Sequence, residues 1–464
     1  MRMLSLALRN LLRNRRRSLT TLTAMVLGVV TVLLFGGYTR NITYSLQTGY
    51  VERSGHLQVQ RNGYFLYGTG NPAAYGIADY RRVMQTIARD PVLAPMTTVL
   101  TPTLAFGGIA GNFSAAVSRT VLGTGIVVED QNRLRQWNDY GLPFSRQPLA
   151  LTGSASDAAV LGTGVARVLQ LCAALHVPDC AGQRPPAERP AQGPAAPADI
   201  LSLAQGERVS GPSQDEARIE LLAANVHGVP NVASLRVVKA ENQGFKEFDD
   251  IYVAMHLPEA QRLVYGSGEP QVTALIVQLA HTAQMPAARS RLEQLLATQL
   301  KDQDLEVLDY ETLNPFYGQA VGMFDAIFGF IAVLIGSIVL FTVANTMSMA
   351  VVERTAEIGT LRAMGVRRAG IRGLFVSEGL ILGALSAVAG IALSLGLAWL
   401  VNHSGLTWLP PGQVNRLPLT VRLAGESRMM IGTAAGLLAV ALLSAWLPAR
   451  RAARMNVVDA LRHV

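Results

Sequence analysis

The chain is 464 residues long, 50% hydrophobic and only 16% charged, whereas soluble domains carry about 25% charged residues. That excludes an ordinary soluble protein built on one core and points to a membrane. Its 40 basic and 32 acidic side chains leave a formal charge of +8, which alone allows a nucleic-acid binder, an anionic-membrane binder or an oriented membrane protein.

Met1–Arg17 carries six arginines and no acid, and Ser18–Thr39 follows with 22 uncharged residues. A helix needs about 20 residues to cross the ~30 Å hydrocarbon layer, so this stretch reads as a spanning helix. A cleavable signal peptide is the competing reading. Its apolar region runs only ~7–15 residues, however, and Gly36-Gly37-Tyr38-Thr39-Arg40 offers no small-x-small cleavage site. Residues 1–40 are therefore assigned as a basic cytoplasmic helix and a retained first transmembrane helix.

Residues 41–320 read as a large α+β domain of a size that can hold two subdomains. Gly55–Gln60 alternates apolar and polar residues, as a half-buried strand does, and Ala78–Arg89 has helical spacing. Further strands are expected at Thr97–Ala105, Ala115–Gly123, Val232–Lys239, Asp250–Met255 and Val272–Leu279, and a helix at Pro286–Leu300. Strands and helices do not alternate strictly, which favours α+β over a doubly wound sheet. Cys172 and Cys180 are the only cysteines; outside the cytoplasm they can close a disulfide, two free thiols being the alternative. His176 is the only nearby additional ligand, too few for structural zinc, so no metal site is assigned. Ala181–Asp199, with five prolines and little apolar bulk, reads as a mobile surface insertion.

Asn314-Pro315 is a helix start, after which one helix can run from Phe316 to about Met349. That is on the order of 50 Å, longer than a bilayer requires, so its first part is expected to act as a stalk. Uncharged stretches at Ala326–Val352, Gly379–Asn402 and Met429–Ala449 bring the expected spans to four. Met1–Arg17, Val351–Gly373 and Pro448–Val464 together hold 15 basic and three acidic side chains in 57 residues. Because short basic loops stay cytoplasmic, both termini and the loop between spans two and three are placed inside, and residues 41–320 outside. The charge thus records topology, and no nucleic-acid surface is assigned. His403–Arg428 is an exception: placed outside, it carries Arg416, Arg422 and Arg428 against Glu426.

The inside loop Glu353–Gly365 reads as a short helix. Glu353 and Glu357 suit its N-terminal end, Arg362 its C-terminal end, and Gly365 is a natural residue just past its end. Ile358, Leu361 and Gly365 line one side; a helix lying on the lipid surface is the alternative reading. Glu378, beside the third span, is a candidate intramembrane polar residue, the alternative being a carboxylate that reaches headgroup water. Small residues Gly383, Ala384, Ala387 and Gly390 mark a face for close helix contact.

ERTAEIGTLRAMGVRRAGI followed by FVSEGLILG resembles the permease signature of the MacB/FtsX/LolC–LolE superfamily of ABC transporters. The stretches ALRNLLRNRRRSLTTL, LNPFYGQ and LPARRAARMNVVDALR match as well, in the same order. The resemblance covers the first forty residues and 314–464. Between them only position, size and α+β character agree, and the Pro-rich insertion 181–199 departs from the family.

The resemblance implies a multi-pass inner-membrane protein with four transmembrane α-helices and a large α+β extracytoplasmic domain between helices one and two. Residues 321–464 would form the FtsX-like permease region, with a coupling helix at 353–365 that docks on a cytoplasmic ABC ATPase. Glu353, Arg354, Glu357 and Arg362 would supply polar contacts, and Ile358, Leu361 and Met364, with Gly365, the packing. The basic helix Ala7–Arg17 would lie on membrane lipid at the inner surface. The expected partners are ATPase subunits, a second permease copy or paralogue, and a periplasmic or outer-membrane accessory protein. The subunit itself would be non-catalytic and bind no cofactor directly, with ATP acting through the ATPase. A P-loop needs Gly-x-x-x-x-Gly-Lys-Ser/Thr; the only lysines, Lys239, Lys246 and Lys301, are in no such setting. The expectation is therefore an unfused permease, unlike MacB with its fused ATPase. Its implied work is to transmit motion that extracts or exports a lipoprotein, lipid-like or hydrophobic substrate, the alternative being an FtsX-like regulator that activates periplasmic partners without transporting.

Overall fold

The structure, a computed structural model, describes residues 9, 13, 15–143, 146–178, 217–409 and 416–455. Contacts divide the chain into two compact units, one of residues 1–45, 316–408 and 417–464, the other of 46–315 and 409–416.

Four helices are long and apolar enough to cross a membrane: α1 (Arg15–Ser54), α7 (Pro315–Glu353), α9 (Arg368–His403) and α10 (Ser427–Arg454). Each contains one of the expected uncharged stretches and extends beyond it. At about 1.5 Å per residue, the 39 residues of α7 reach nearly 60 Å, about twice the hydrocarbon thickness. Pro315 opens α7, while the Asn314 side-chain amide donates to the Tyr310 carbonyl (2.8 Å).

Inside the membrane unit the core comprises Met25, Val29 and Leu33 of α1, Val339, Val343 and Met347 of α7, Leu382 and Ala387 of α9, and Leu437, Ala441 and Ala445 of α10. Small residues permit the closest approaches. A Cβ at Gly383 would fall 3.1 Å from that of Ala441, and one at Gly390 would fall 2.7 Å from Val29. Lipid offers no hydrophobic drive for helices to associate, so such intimate packing supplies the attraction.

The second unit is built on a nine-stranded mixed sheet. Its strands are β1 (Leu57–Arg61), β2 (Thr97–Asn112), β3 (Val117–Ile126), β4 (Ala158–Gly162), β5 (Arg218–Ala224), β6 (Pro230–Glu241), β7 (Tyr252–His256), β8 (Ala274–Leu279) and β9 (Leu305–Asp309). β2 belongs to two arrays. Its first half pairs with β8 (Leu100↔Val277), and the sheet continues through β1 to β9. Its second half pairs with β3 (Phe106↔Gly123) and with β5 (Ile109↔Leu222). From β3 the ladder passes to β7, β4, β6 and back to β5, so these six strands close a ring.

Strand alternation fills the ring. Leu104, Phe106, Val121, Leu161, Leu221, Leu235 and Met255 share one buried core, whereas the intervening Ile126, Val160 and Ala254 join Leu151 in another. Among the described residues, the intervening α-helices longer than four residues are α2 (Tyr80–Ala88), α3 (Val128–Leu134), α4 (Thr163–Val168), α5 (Leu257–Tyr265) and α6 (Met285–Thr298). Buried Asp249 accepts the backbone N–H groups of Thr163 and Gly164 (both 2.9 Å) at the start of α4, and that of Gln243 (3.1 Å). Cys172 is half of a disulfide and packs against the main core. Cys180 and the insertion 181–199 lie outside the described residues.

Candidate functional site: the helix between the second and third spans

α8 (Thr355–Ala363) follows α7 after the single residue Arg354. Its C-terminal end is fixed by Gly365 at φ +92°, where any side chain would be strained. There the Gly365 N–H donates to the Arg362 carbonyl and the Val366 N–H to the Leu361 carbonyl (both 3.1 Å). This pair of bonds is the Schellman arrangement, and Leu361 and Val366 pack on the same apolar cluster, as that motif favours. Gly365 therefore works as a stop signal that sets where the chain turns into α9.

The inner face of α8 closes the end of the membrane unit. Ile358 is buried with Ala350 and Val351 of α7, Ile371 and Phe375 of α9, and Ala449, Ala452 and Ala453 of α10. Arg362 donates to the Ala453 carbonyl (2.8 Å). At the α7–α8 junction, Arg354 donates to Glu378 of α9 (2.9 Å), with only 8% and 3% of the two side chains exposed. Placed among apolar side chains, each charge requires the other. Glu378 is thus enclosed by protein and does not reach headgroup water.

The outer face is different. Ala356, Glu357, Thr360, Ala363 and Met364 are exposed, together with Glu353 at the end of α7. Arg17 pairs with Glu353 (2.8 Å) and Arg13 with Glu357 (2.5 Å). These pairs are solvated, so each is worth about 1 kcal/mol or less, and the carboxylates can exchange partners. Most of the expected surface helix Ala7–Arg17 lies outside the described residues, and from Arg15 the chain is already in α1.

The eight residues singled out from sequence therefore divide. Glu353, Glu357 and Met364 face outward; Arg354, Ile358, Leu361 and Arg362 bind the chain's own helices; Gly365 sets the backbone. Sequence reading omitted Ala356 and Thr360, although their spacing from Glu353, Glu357 and Met364 is helical and marks the same face. Among the described residues, no three metal-ligating side chains lie together.

The family described as FtsX-like permease C-terminal matches residues 328–457, which include α8 and the whole of α9. The ABC transporter permease YtrF of Bacillus subtilis is 39% identical over 138 residues, 29% of this chain and 30% of that protein. The macrolide export ATP-binding/permease protein MacB of Hyphomonas neptunium is 27% identical over 50% of this chain and 34% of its own length. The lipoprotein-releasing system transmembrane protein LolC of Neisseria meningitidis serogroup B is 27% identical over 51% of this chain and 57% of its own. The chain thus spans between about a third and somewhat over half the length of the relatives it matches. Four apolar helices, a short helix seated across the end of the bundle, and these similarities lead to one conclusion: the chain is a membrane protein that belongs to the MacB/FtsX/LolC superfamily.

Proposed function

We propose that the protein is the non-catalytic permease subunit of an inner-membrane ABC transporter, with α8 docking its outer face on a cytoplasmic ATPase. The observation that carries this reading is the division of α8 into an inner face locked to α7, α9 and α10 and an outer face of Glu353, Ala356, Glu357, Thr360 and Met364. A helix held in this way moves with the bundle when pushed, so displacement at the outer face is passed on. α7 is the continuous covalent connection from β9 and its following turn to α8, and it is built as a rod. The basic flanks support cytoplasmic termini and an extracytoplasmic place for residues 46–315.

The substrate class follows the relatives, one named for lipoprotein release and another for macrolide export: a lipoprotein, lipid-like or other hydrophobic molecule handled on the extracytoplasmic side. ATP acts through the ATPase, and a second permease copy or paralogue completes the assembly. The test is co-purification with ATP-binding subunits. Ala356→Trp with Thr360→Trp places bulk on the outer face only and is expected to abolish co-purification while leaving the permease folded. Undiminished association of the doubly substituted protein would remove α8 as the docking helix.

A further inference from the structure

The exception to the charge rule, His403–Arg428, has a structural counterpart at the end of the membrane unit opposite α8. Glu426 precedes α10 and stands 3.9 Å from both Arg40 and Arg422. Tyr44 donates to Glu426 (3.1 Å), and both guanidinium groups lie over the Tyr44 ring, 5.8 and 5.2 Å from its centre. Two positive charges therefore surround one negative one. Arg428 is exposed two residues further on; Asp325, an exposed acid, lies on α7 one turn before Phe328.

Directly beside this cluster opens a groove of about 420 Å³ between α1, α7 and α10. Val32, Phe328, Ile335, Met429 and Gly432 are among its walls, and among the described residues Thr433 is the one polar side chain lining it. Gly36 lies between cluster and groove and packs against two groove residues: an added Cβ there would fall 2.8 Å from the Met429 sulfur and 3.0 Å from Phe328. Arg40 is one helical turn beyond Gly36, and Glu426 is three residues before Met429. Along α7 the groove extends from Phe328 to Val339, a rise of about 16 Å, or one leaflet of a ~30 Å hydrocarbon layer.

We propose that this groove holds one acyl chain of a glycerophospholipid whose phosphate is bound by Arg40 and Arg422, in the leaflet opposite α8. The groove supplies an apolar channel of one-leaflet length, and the basic mouth supplies charge complementary to a phosphodiester. Guanidinium groups match phosphate oxygens in geometry as well as charge. The site is independent of the transport reading: it binds a lipid of the surrounding bilayer whatever the substrate is.

The test uses the full chain in detergent with added phosphatidylglycerol, and native mass spectrometry counts the lipid retained. Diacylglycerol with the same chains is the control lacking phosphate. Wild type is expected to retain phosphatidylglycerol and release diacylglycerol. Arg40→Gln, at a half-exposed side chain, and Arg40→Gln with Arg422→Gln are each expected to lower retention, the pair by about tenfold, as for loss of charged hydrogen bonds. Gly432→Leu, where an added side chain meets open space, fills the groove and is expected to abolish retention; Gly396→Leu, equally open but on α9, leaves it unchanged. Equal retention of diacylglycerol, or full retention by both arginine variants, overturns the phosphate site. Retention by Gly432→Leu overturns the groove as the acyl site, and a changed oligomeric state of that variant overturns it as well, because a second copy then occupies the groove.

Discussion

Removing one partner of the Arg354–Glu378 pair perturbs the junction on which α8 depends. The donor–acceptor distance is 2.9 Å and both side chains are almost wholly buried, so Glu378→Ala takes the paired carboxylate away from a buried guanidinium. Breaking a buried pair from one side costs about 3–5 kcal/mol, whereas replacing both partners by apolar residues of similar size is near neutral. Glu378→Ala is expected to destabilise the detergent-solubilised chain by that amount, and Arg354→Met with Glu378→Leu to recover most of it. Thermal unfolding of Arg354→Met, Glu378→Leu and the double variant beside wild type closes a double-mutant cycle, with Glu378→Ala measured alongside. A loss below about 1 kcal/mol for Glu378→Ala, the range of solvated pairs, would refute the enclosed geometry. Full loss without recovery in the double variant would show that the two charges are not coupled.

Other consequences concern stability and local order. His56 is buried against Trp137, with its Nδ1 accepting the Leu279 N–H (3.0 Å), and burial pushes its pKa down to about 4 although Asp139 opposes this. The unfolded chain, with histidine near 6.5, takes up the proton first, so stability falls as pH drops from about 6.5 to 4, by about 3 kcal/mol in all. The pH dependence of the unfolding midpoint is expected to flatten over this window in His56→Gln; an unchanged slope would exclude His56 as its source. Gly123→Val puts a Cβ 2.2 Å from the Phe106 ring across the β2–β3 pair; it is expected to cost about 1–3 kcal/mol by overpacking, read as a lower melting temperature. Gly365→Ala strains the left-handed turn after α8 by about 1–2 kcal/mol, and faster amide exchange confined to 361–366 is the expected signature.

The helices that cross the membrane are legible in the sequence because lipid imposes a length and excludes charge, and the uncharged stretches meet both conditions. β3, β6, β7 and β8 are close to their expected positions for a similar reason: turn residues and apolar runs bound them. β4 was not anticipated. Ala158-Ala159-Val160-Leu161-Gly162 is buried throughout, so it lacks the alternation that identifies a half-exposed strand. Closure of the six-strand ring also depends on pairings such as β4 with β6, which join distant segments and follow from packing alone.

At α8 the pattern of residues revealed a helix and its glycine stop, but charge type did not reveal burial. Arg354 reads as one more cytoplasmic arginine until Glu378, 24 residues later, is found against it. Arg362 likewise reads as a surface cation, and its acceptor is a carbonyl 91 residues away. Buried ion pairs at the end of a helical bundle are tertiary features, so periodicity could mark the outer face of α8 more securely than charge could.

Site-specific photocrosslinking in native membranes tests the docking of α8 most directly. A photoreactive residue at Thr360 or Met364 on the outer face is expected to capture an ATP-binding chain, with capture changing when nucleotide is bound, while one at Ile371 in the buried cluster is not. Capture from neither outer position, or equal capture from Ile371, would contradict a docking role for this helix.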